Sequence, residues 1–190
     1  MKKLSVIFLF LMALSISCIG FAAEQQGTTN KIAIIPYINS TEETKDYIGE
    51  TIQMNYLEYF ENNLKFNIIP LTETQKALND SGFDISNLEL PEKDVFVNVA
   101  KNTGADYVLA MELSQLTTTR HMSYFQAKVV SKSKLRYKFY NVKQDKLISF
   151  QVTGESQNKT IFGDVGYKDP ITKALTEAMN KANEKIVSSF

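Results

Sequence analysis

Residues 135–156 read LRYKFYNVKQDKLISFQVTGES, and the stretch alternates. Successive side chains of an extended chain point to opposite faces. Leu135, Tyr137 and Phe139 therefore share one face, and Lys134, Arg136 and Lys138 share the other. Lys143-Gln144-Asp145-Lys146 is a polar turn, after which Ile148, Phe150 and Val152 resume one face on the returning strand. Period-two alternation on both sides of a polar turn predicts a long antiparallel hairpin. Its first arm reaches back from Val142 to Tyr124.

Upstream the pattern changes. KIAIIPY (31–37), FNIIPL (66–71) and DYVLAMEL (106–113) are short continuous apolar runs, the signature of strands buried on both faces. Helical spacing fills the intervals. Ser40 with Glu43 forms a capping-box pair before Ile48, Ile52, Tyr56, Tyr59, Phe60 and Leu64, which predicts a helix over Thr41–Asn63. Thr72 with Gln75 repeats the box and starts a helix that stops at Gly82. Pro91 opens a third helix, with Glu92 and Asp94 at its positive end and Gly104 after its last residue, Thr103.

Strands separated by helices imply right-handed crossovers and hence a parallel portion of sheet. Downstream of the hairpin, Asp169-Pro170 supplies an N-cap and a first helical position. Ile171, Ala174, Leu175, Ala178, Met179, Ala182 and Ile186 then trace an apolar stripe. The expected fold is α/β, a single domain over residues 31–190. A mixed β-sheet of about five strands, part parallel and part long antiparallel hairpin, packs with about four helices.

The chain begins Met1-Lys2-Lys3, runs apolar from Leu4 to Ile16 and continues through Gly20, Ala22 and Ala23. That is the layout of a bacterial export signal, so residues 1–22 are read as a signal peptide and 23–30 as a linker. Gly20 and Ala22 fit the small-x-small rule for cleavage after Ala22, which would release the protein into the periplasm. The alternative is lipidation at Cys18, the only cysteine, making an outer-membrane lipoprotein. Ser15-Ile16-Ser17 lacks the Leu usual before such a cysteine, which favours simple cleavage.

The full chain holds 21 basic and 21 acidic residues, and losing Lys2 and Lys3 leaves the remainder near −2. A dedicated nucleic-acid binder would be strongly basic, so no nucleic-acid partner is expected. No later apolar run approaches the roughly 18 residues of a membrane-spanning helix.

KIAIIPYINS, NIIPLTETQKAL, AKNTGADYVLAMEL and the hairpin, with the Ala-rich closing helix, resemble the curli-secretion lipoprotein CsgG family. The relatives of that family include the TolB amino-terminal domain and the lipoprotein LpoB. The resemblance covers nearly all of the chain after the leader, although the glycine usual in the hairpin turn is replaced by Lys143-Gln144-Asp145-Lys146. It implies an envelope protein, and through LpoB a lipid-anchored regulator of a peptidoglycan-synthesis or secretion machine. Pore-forming members insert extra barrel strands. Here Met111–Glu155 is used up by three sheet strands and two connections, so a pore is not expected.

The search for chemistry returns little. His121 is the only histidine and lies in the polar stretch TTTRHM, with nothing local to suggest a Ser-His-Asp arrangement. A His/Cys metal site is excluded after the leader, and Glu42, Glu43, Asp46 and Glu50 lack a calcium-loop pattern and suit the positive end of a helix. Gly163-Asp164-Val165-Gly166 reads as a structural turn, and Tyr56, Tyr59, Tyr137 and Tyr140 as core or core-edge residues. No catalytic residue, metal or cofactor is assigned.

Two features suggest binding. Lys128, Lys132, Lys134, Arg136 and Lys138 form a basic stripe on one strand face. It is either a solvated face that discourages edge pairing or a contact for an acidic partner, since like charges side by side repel. The stretch Thr117–Phe125, read as a loop, adds Arg120, His121, Met122 and Tyr124. The expectation is a non-enzymatic periplasmic binding or assembly-accessory module. Its partner would be another envelope protein, with anionic lipid, a glycan or a second copy of the chain as further contacts. A small hydrolase is the remote alternative.

Overall fold

The computed structural model describes residues 29–161 and 165–189. The leader, Cys18, Phe162, Gly163 and Asp164 lie outside the described residues.

One mixed sheet organises the molecule. Its strands are β1 (Asn30–Ile34), β2 (Ile38–Asn39), β3 (Phe66–Ile68), β4 (Tyr107–Met122), β5 (Ala127–Asn141) and β6 (Lys146–Thr160). They run in the order β3-β1-β4-β5-β6, with β2 beside β4. β1 is parallel to both β3 and β4, pairing Ile32 with Ile68 and Ile34 with Leu109. The long arms are antiparallel, pairing Leu109 with Phe139 and Leu135 with Val152.

Among the described residues four α-helices cover it: α1 (Asp46–Glu61), α2 (Leu71–Asp80), α3 (Lys93–Thr103) and α4 (Lys168–Val187). On one face α1 and α4 contribute Ile48, Ile52, Phe60, Leu175 and Met179 to a core built on Leu109, Met111, Leu135 and Tyr137. On the other, α2 and α3 bring Leu78, Phe96 and Val99 against Ala33, Val108, Ala110 and Tyr140. Tyr56, Tyr137 and Tyr140 are buried, and Tyr59 is packed at the core edge. Burial pushes the Tyr56 and Tyr137 phenols above their usual pKa.

The helix starts differ from the capping boxes. After Ile34 the chain adds β2 alongside β4, which delays α1 to Asp46. No side chain caps α1; Asn39 orders the connection before it, its Oδ1 accepting from Thr41 N at 3.0 Å and its Nδ2 donating to Glu43 O at 2.9 Å. Ser40 Oγ donates to Leu88 O at 2.7 Å. Likewise α2 begins at Leu71, behind Pro70, which leaves Thr72 inside the first turn. Pro91 precedes α3, which starts at Lys93. Asp169 and Pro170 lie in the first turn of α4, not at its cap. Gly104 does end α3 in the left-handed conformation, φ 65°.

The hairpin turn without glycine has a physical solution. Asp145 itself adopts φ 48°, a conformation short polar residues tolerate. Its carboxylate is held by Lys93 at 2.8 Å and by the Tyr140 hydroxyl at 2.8 Å. These contacts keep it below the ordinary aspartate range, Lys93 contributing most.

Candidate functional site: the uncovered end of the long sheet

β4 does not stop at Leu113. A register shift between Leu113 and Gln115 steps the alternation by one, and the strand continues to Met122 against β5. Thr117–Met122 is therefore strand, and the expected loop reduces to the turn Ser123–Gln126, closed by Ser123 N donating to Gln126 O at 2.8 Å. A single polar face results. His121, Thr119, Thr117 and Gln115 on β4 lie opposite Lys128, Val130, Lys132 and Lys134 on β5. These in turn face Lys159, Gln157, Glu155 and Thr153 on β6.

The other side of this end is covered. Ser133 Oγ donates to Ala174 O at 2.8 Å, and Val165 packs on Ala127 and Val129. The Arg120 guanidinium lies 5.9 Å from the Tyr167 ring centroid, a cation–π contact.

The basic stripe stands on one face of β5 as its alternation requires, yet its members differ. Lys138 Nζ donates to Pro91 O and to Glu92 Oε1, both at 2.9 Å, and so ties the sheet to the start of α3. Arg136 donates to Glu112 Oε1 at 2.5 Å. Glu112 is 1 % exposed, and this hydrogen bond raises the Arg136 pKa further and keeps the guanidinium charged. Lys132 faces Glu155 at 3.1 Å across the strands. Acids thus answer three of the five charges, which explains how the stripe coexists with a stable sheet. Lys128 and Lys134 form no ion pair among the described residues, and Lys159 lies directly opposite Lys128.

The tip is apolar. Met122 is 73 %, Tyr124 99 %, Phe125 73 % and Ile161 66 % exposed. Tyr124 and Phe125 lie ring beside ring, with centroids 5.9 Å apart. Around them, residues 114–134 and 153–161 carry Arg120, Lys128, Lys132, Lys134 and Lys159 against a single acid, Glu155. Of the expected candidates, the fold gathers Lys128, Lys132, Lys134, His121 and Tyr124 at this end and leaves Lys138 with the core. Arg120 points to the covered side. Met122 and Phe125 belong to the expected stretch Thr117–Phe125; Ile161 and Lys159 lie outside it in the sequence, and only the strand pairing brings them to the same end.

His121 is exposed and makes no hydrogen bond to a carboxylate or hydroxyl among the described residues. The described residues hold no cluster of three metal-ligating side chains.

Neither a family profile nor a curated protein sequence matches the chain. Among solved structures it is similar to the hypothetical protein CT253 from Chlamydia trachomatis, at 14 % identity and TM-score 0.49 over 85 % of this chain and 95 % of that one. It is similar to lipoprotein GNA1162 from Neisseria meningitidis, at 9 % identity and TM-score 0.48, covering 84 % and 96 %. LpoB from Escherichia coli, among the expected relatives, is similar at 18 % identity and TM-score 0.43, covering 70 % and 60 %. At these identities and scores the similarities say nothing about what the chain binds.

Proposed function

We propose that this is a non-enzymatic binding or assembly-accessory protein of the bacterial envelope, exported to the periplasm, that engages a protein partner through the uncovered end of its long sheet. The observation that carries the reading is the tip: Met122, Tyr124, Phe125 and Ile161 are exposed together, next to a surface of four cations, Lys128, Lys132, Lys134 and Lys159, and one acid, Glu155. Exposed clusters of large apolar side chains mark interaction sites, and charge around them selects the partner and speeds encounter. An acidic envelope protein fits both properties.

A photocrosslinking residue in place of Tyr124 in intact cells should give one dominant protein adduct, and one in place of Lys76 on α2 should not. The triple variant Met122→Ser, Tyr124→Ser, Phe125→Ser should lose binding of the captured protein and still melt within about 3 °C of the parent, because exposed positions contribute little to stability. Adducts with phospholipid alone, or hydrolytic turnover by the purified protein, would reject the proposal.

A second reading, a lipid-anchored regulator, rests on Cys18 as the only cysteine. Mass spectrometry of the amino terminus separates the two: an unmodified start at Ala23 supports the released form, and an acylated Cys18 the anchored one.

A further inference from the structure

Ala110 and Tyr140 are the outermost sheet residues of the core beneath α2 and α3. Further along the same face Gln115, Thr117, Thr119, Thr153, Glu155 and Gln157 are all exposed. This bare strip has the dimensions of one helix. From Lys134 to Lys128 the central strand β5 advances about 20 Å, at about 3.3 Å per residue. Three strands about 4.8 Å apart make a strip about 10 Å wide, the diameter of an α-helix with its side chains. A partner must meet it through side chains, because β5 is paired to β4 on one side and β6 on the other. The outer edge of β6 is obstructed as well, with Glu177 holding Glu155 N and Lys181 holding Thr153 O. Strand addition therefore has no place here. Helix-on-sheet packing does, as α2 and α3 already cover the inner part of this face.

The charges say what such a helix must carry. Lys128 and Lys159 stand directly opposite each other, and like charges so placed repel. Lys132 has Glu155 at 3.1 Å, but both side chains are more than half exposed. A pair that open contributes at most about 1 kcal/mol, so an incoming carboxylate can replace it. The spacing also fits. Residues i, i+4, i+11 and i+15 share one face of a helix, the last three about 6, 16 and 22 Å beyond the first. Lys132 and Lys128 lie about 7 and 20 Å beyond Lys134, with Lys159 beside Lys128. Four carboxylates at those positions would meet Lys134 and Lys132 singly and bracket the Lys128–Lys159 pair. We propose that the bare strip seats an acidic α-helix of the partner, about 16 residues long, laid along β5.

The helix is the binding element of the partner proposed above and rests on that reading, so its test uses purified protein and a defined probe. The probe is an alanine- and glutamine-based peptide with glutamates at i, i+4, i+11 and i+15. Its control has the same composition with the glutamates spread round the helix. At low salt the probe should shift the backbone amide NMR signals of Thr117, Thr119 and Gln157 saturably and gain helix by circular dichroism. The control should bind about fivefold more weakly or less tightly still, since only the arrangement of charge differs. Lys128→Glu with Lys134→Glu should weaken probe binding about tenfold or more, and Lys76→Glu on α2 should leave it unchanged. Equal binding of probe and control overturns the proposal, because net charge alone would then suffice. The absence of saturable binding overturns it too, as does binding that survives the double reversal. Retention of the protein by phosphatidylglycerol vesicles without probe binding overturns it in favour of a lipid surface. If the double reversal fails to fold, the comparison of the two peptides decides. A protein adduct at Tyr124 without probe binding rejects the helix and keeps the proposed function; probe binding without that adduct does the reverse.

Discussion

At Gly154 the two layers of the protein come closest. A Cβ built there would stand 1.9 Å from the Ala174 carbonyl oxygen and 2.7 Å from the Ala178 nitrogen, both of them backbone of α4. No side-chain rotation relieves such a contact, so Gly154→Ala must push the helix off the sheet. That shift would stretch the buried Ser133–Ala174 hydrogen bond and open the packing of Leu175 and Met179. Overpacking of this kind costs about 1–3 kcal/mol, occasionally more, and the backbone origin of the clash places this variant at the upper end. Urea unfolding should show a lower midpoint with an unchanged slope. A midpoint equal to the parent's would mean that α4 sits further out than 1.9 Å implies. The sequence shows this glycine at the end of the hairpin but not why it is there, because its neighbours on α4 are some twenty residues away in the chain.

At the scale of the element, β6 shows how an exposed strand edge is closed. Glu177 accepts from Glu155 N at 3.0 Å and from Lys181 Nζ at 2.6 Å, while Lys181 donates to Thr153 O at 3.0 Å. Two side chains of α4 thus occupy backbone groups that a foreign strand would otherwise pair with. The Lys181 contact, followed by the Glu155 amide, holds the Glu177 carboxyl below its usual pKa. A depressed folded-state pKa contributes stability above the unfolded pKa, near 4.5, which is lost as pH falls through the folded value. Both partners of the ion pair are more than a third exposed, so after solvent screening the contribution is a few tenths of a kcal/mol, about 0.3. Glu177→Gln keeps an acceptor and loses the charge. Its melting temperature should fall slightly at pH 7 and converge on the parent's as the pH drops well below 4.5. A gap that widens in acid would refute the assignment.

The same scale explains which elements could be read. The inner half of β4 is sandwiched by helices and reads as DYVLAMEL; the outer half, SQLTTTRHM, is covered on one side only, so Leu116 alone supplies an apolar inward residue. The register shift after Leu113 also interrupts the alternation that would have revealed the strand. The β5 faces were legible because every inward position there from Leu135 to Phe139 is large and apolar, and every outward one is basic.

For the whole molecule, the order of strands and helices followed from local patterns, whereas the uncovered end did not. It is a property of lengths: β4, β5 and β6 outrun α2 and α3, leaving part of one sheet face without a layer. The covered part has two cores that share β1 and β4, whose residues alternate between them: Ile32, Ile34 and Leu109 face α1 and α4, while Ala33 and Val108 face α2 and α3. Neither core persists without those strands, so the domain should unfold in one transition. Phe60 and Phe96, both 0 % exposed, lie one in each core and provide the test. Phe60→Leu and Phe96→Leu should each cost about 1–2 kcal/mol, since each removes part of a well-packed ring. The sheet separates the two sites, so the double variant should lose the sum within about 0.5 kcal/mol. Far-ultraviolet circular dichroism and tyrosine fluorescence should report the same midpoint for all four proteins. If Phe96→Leu separated the two signals, with α2 and α3 melting before the long hairpin, the shared strands would not be coupling the cores.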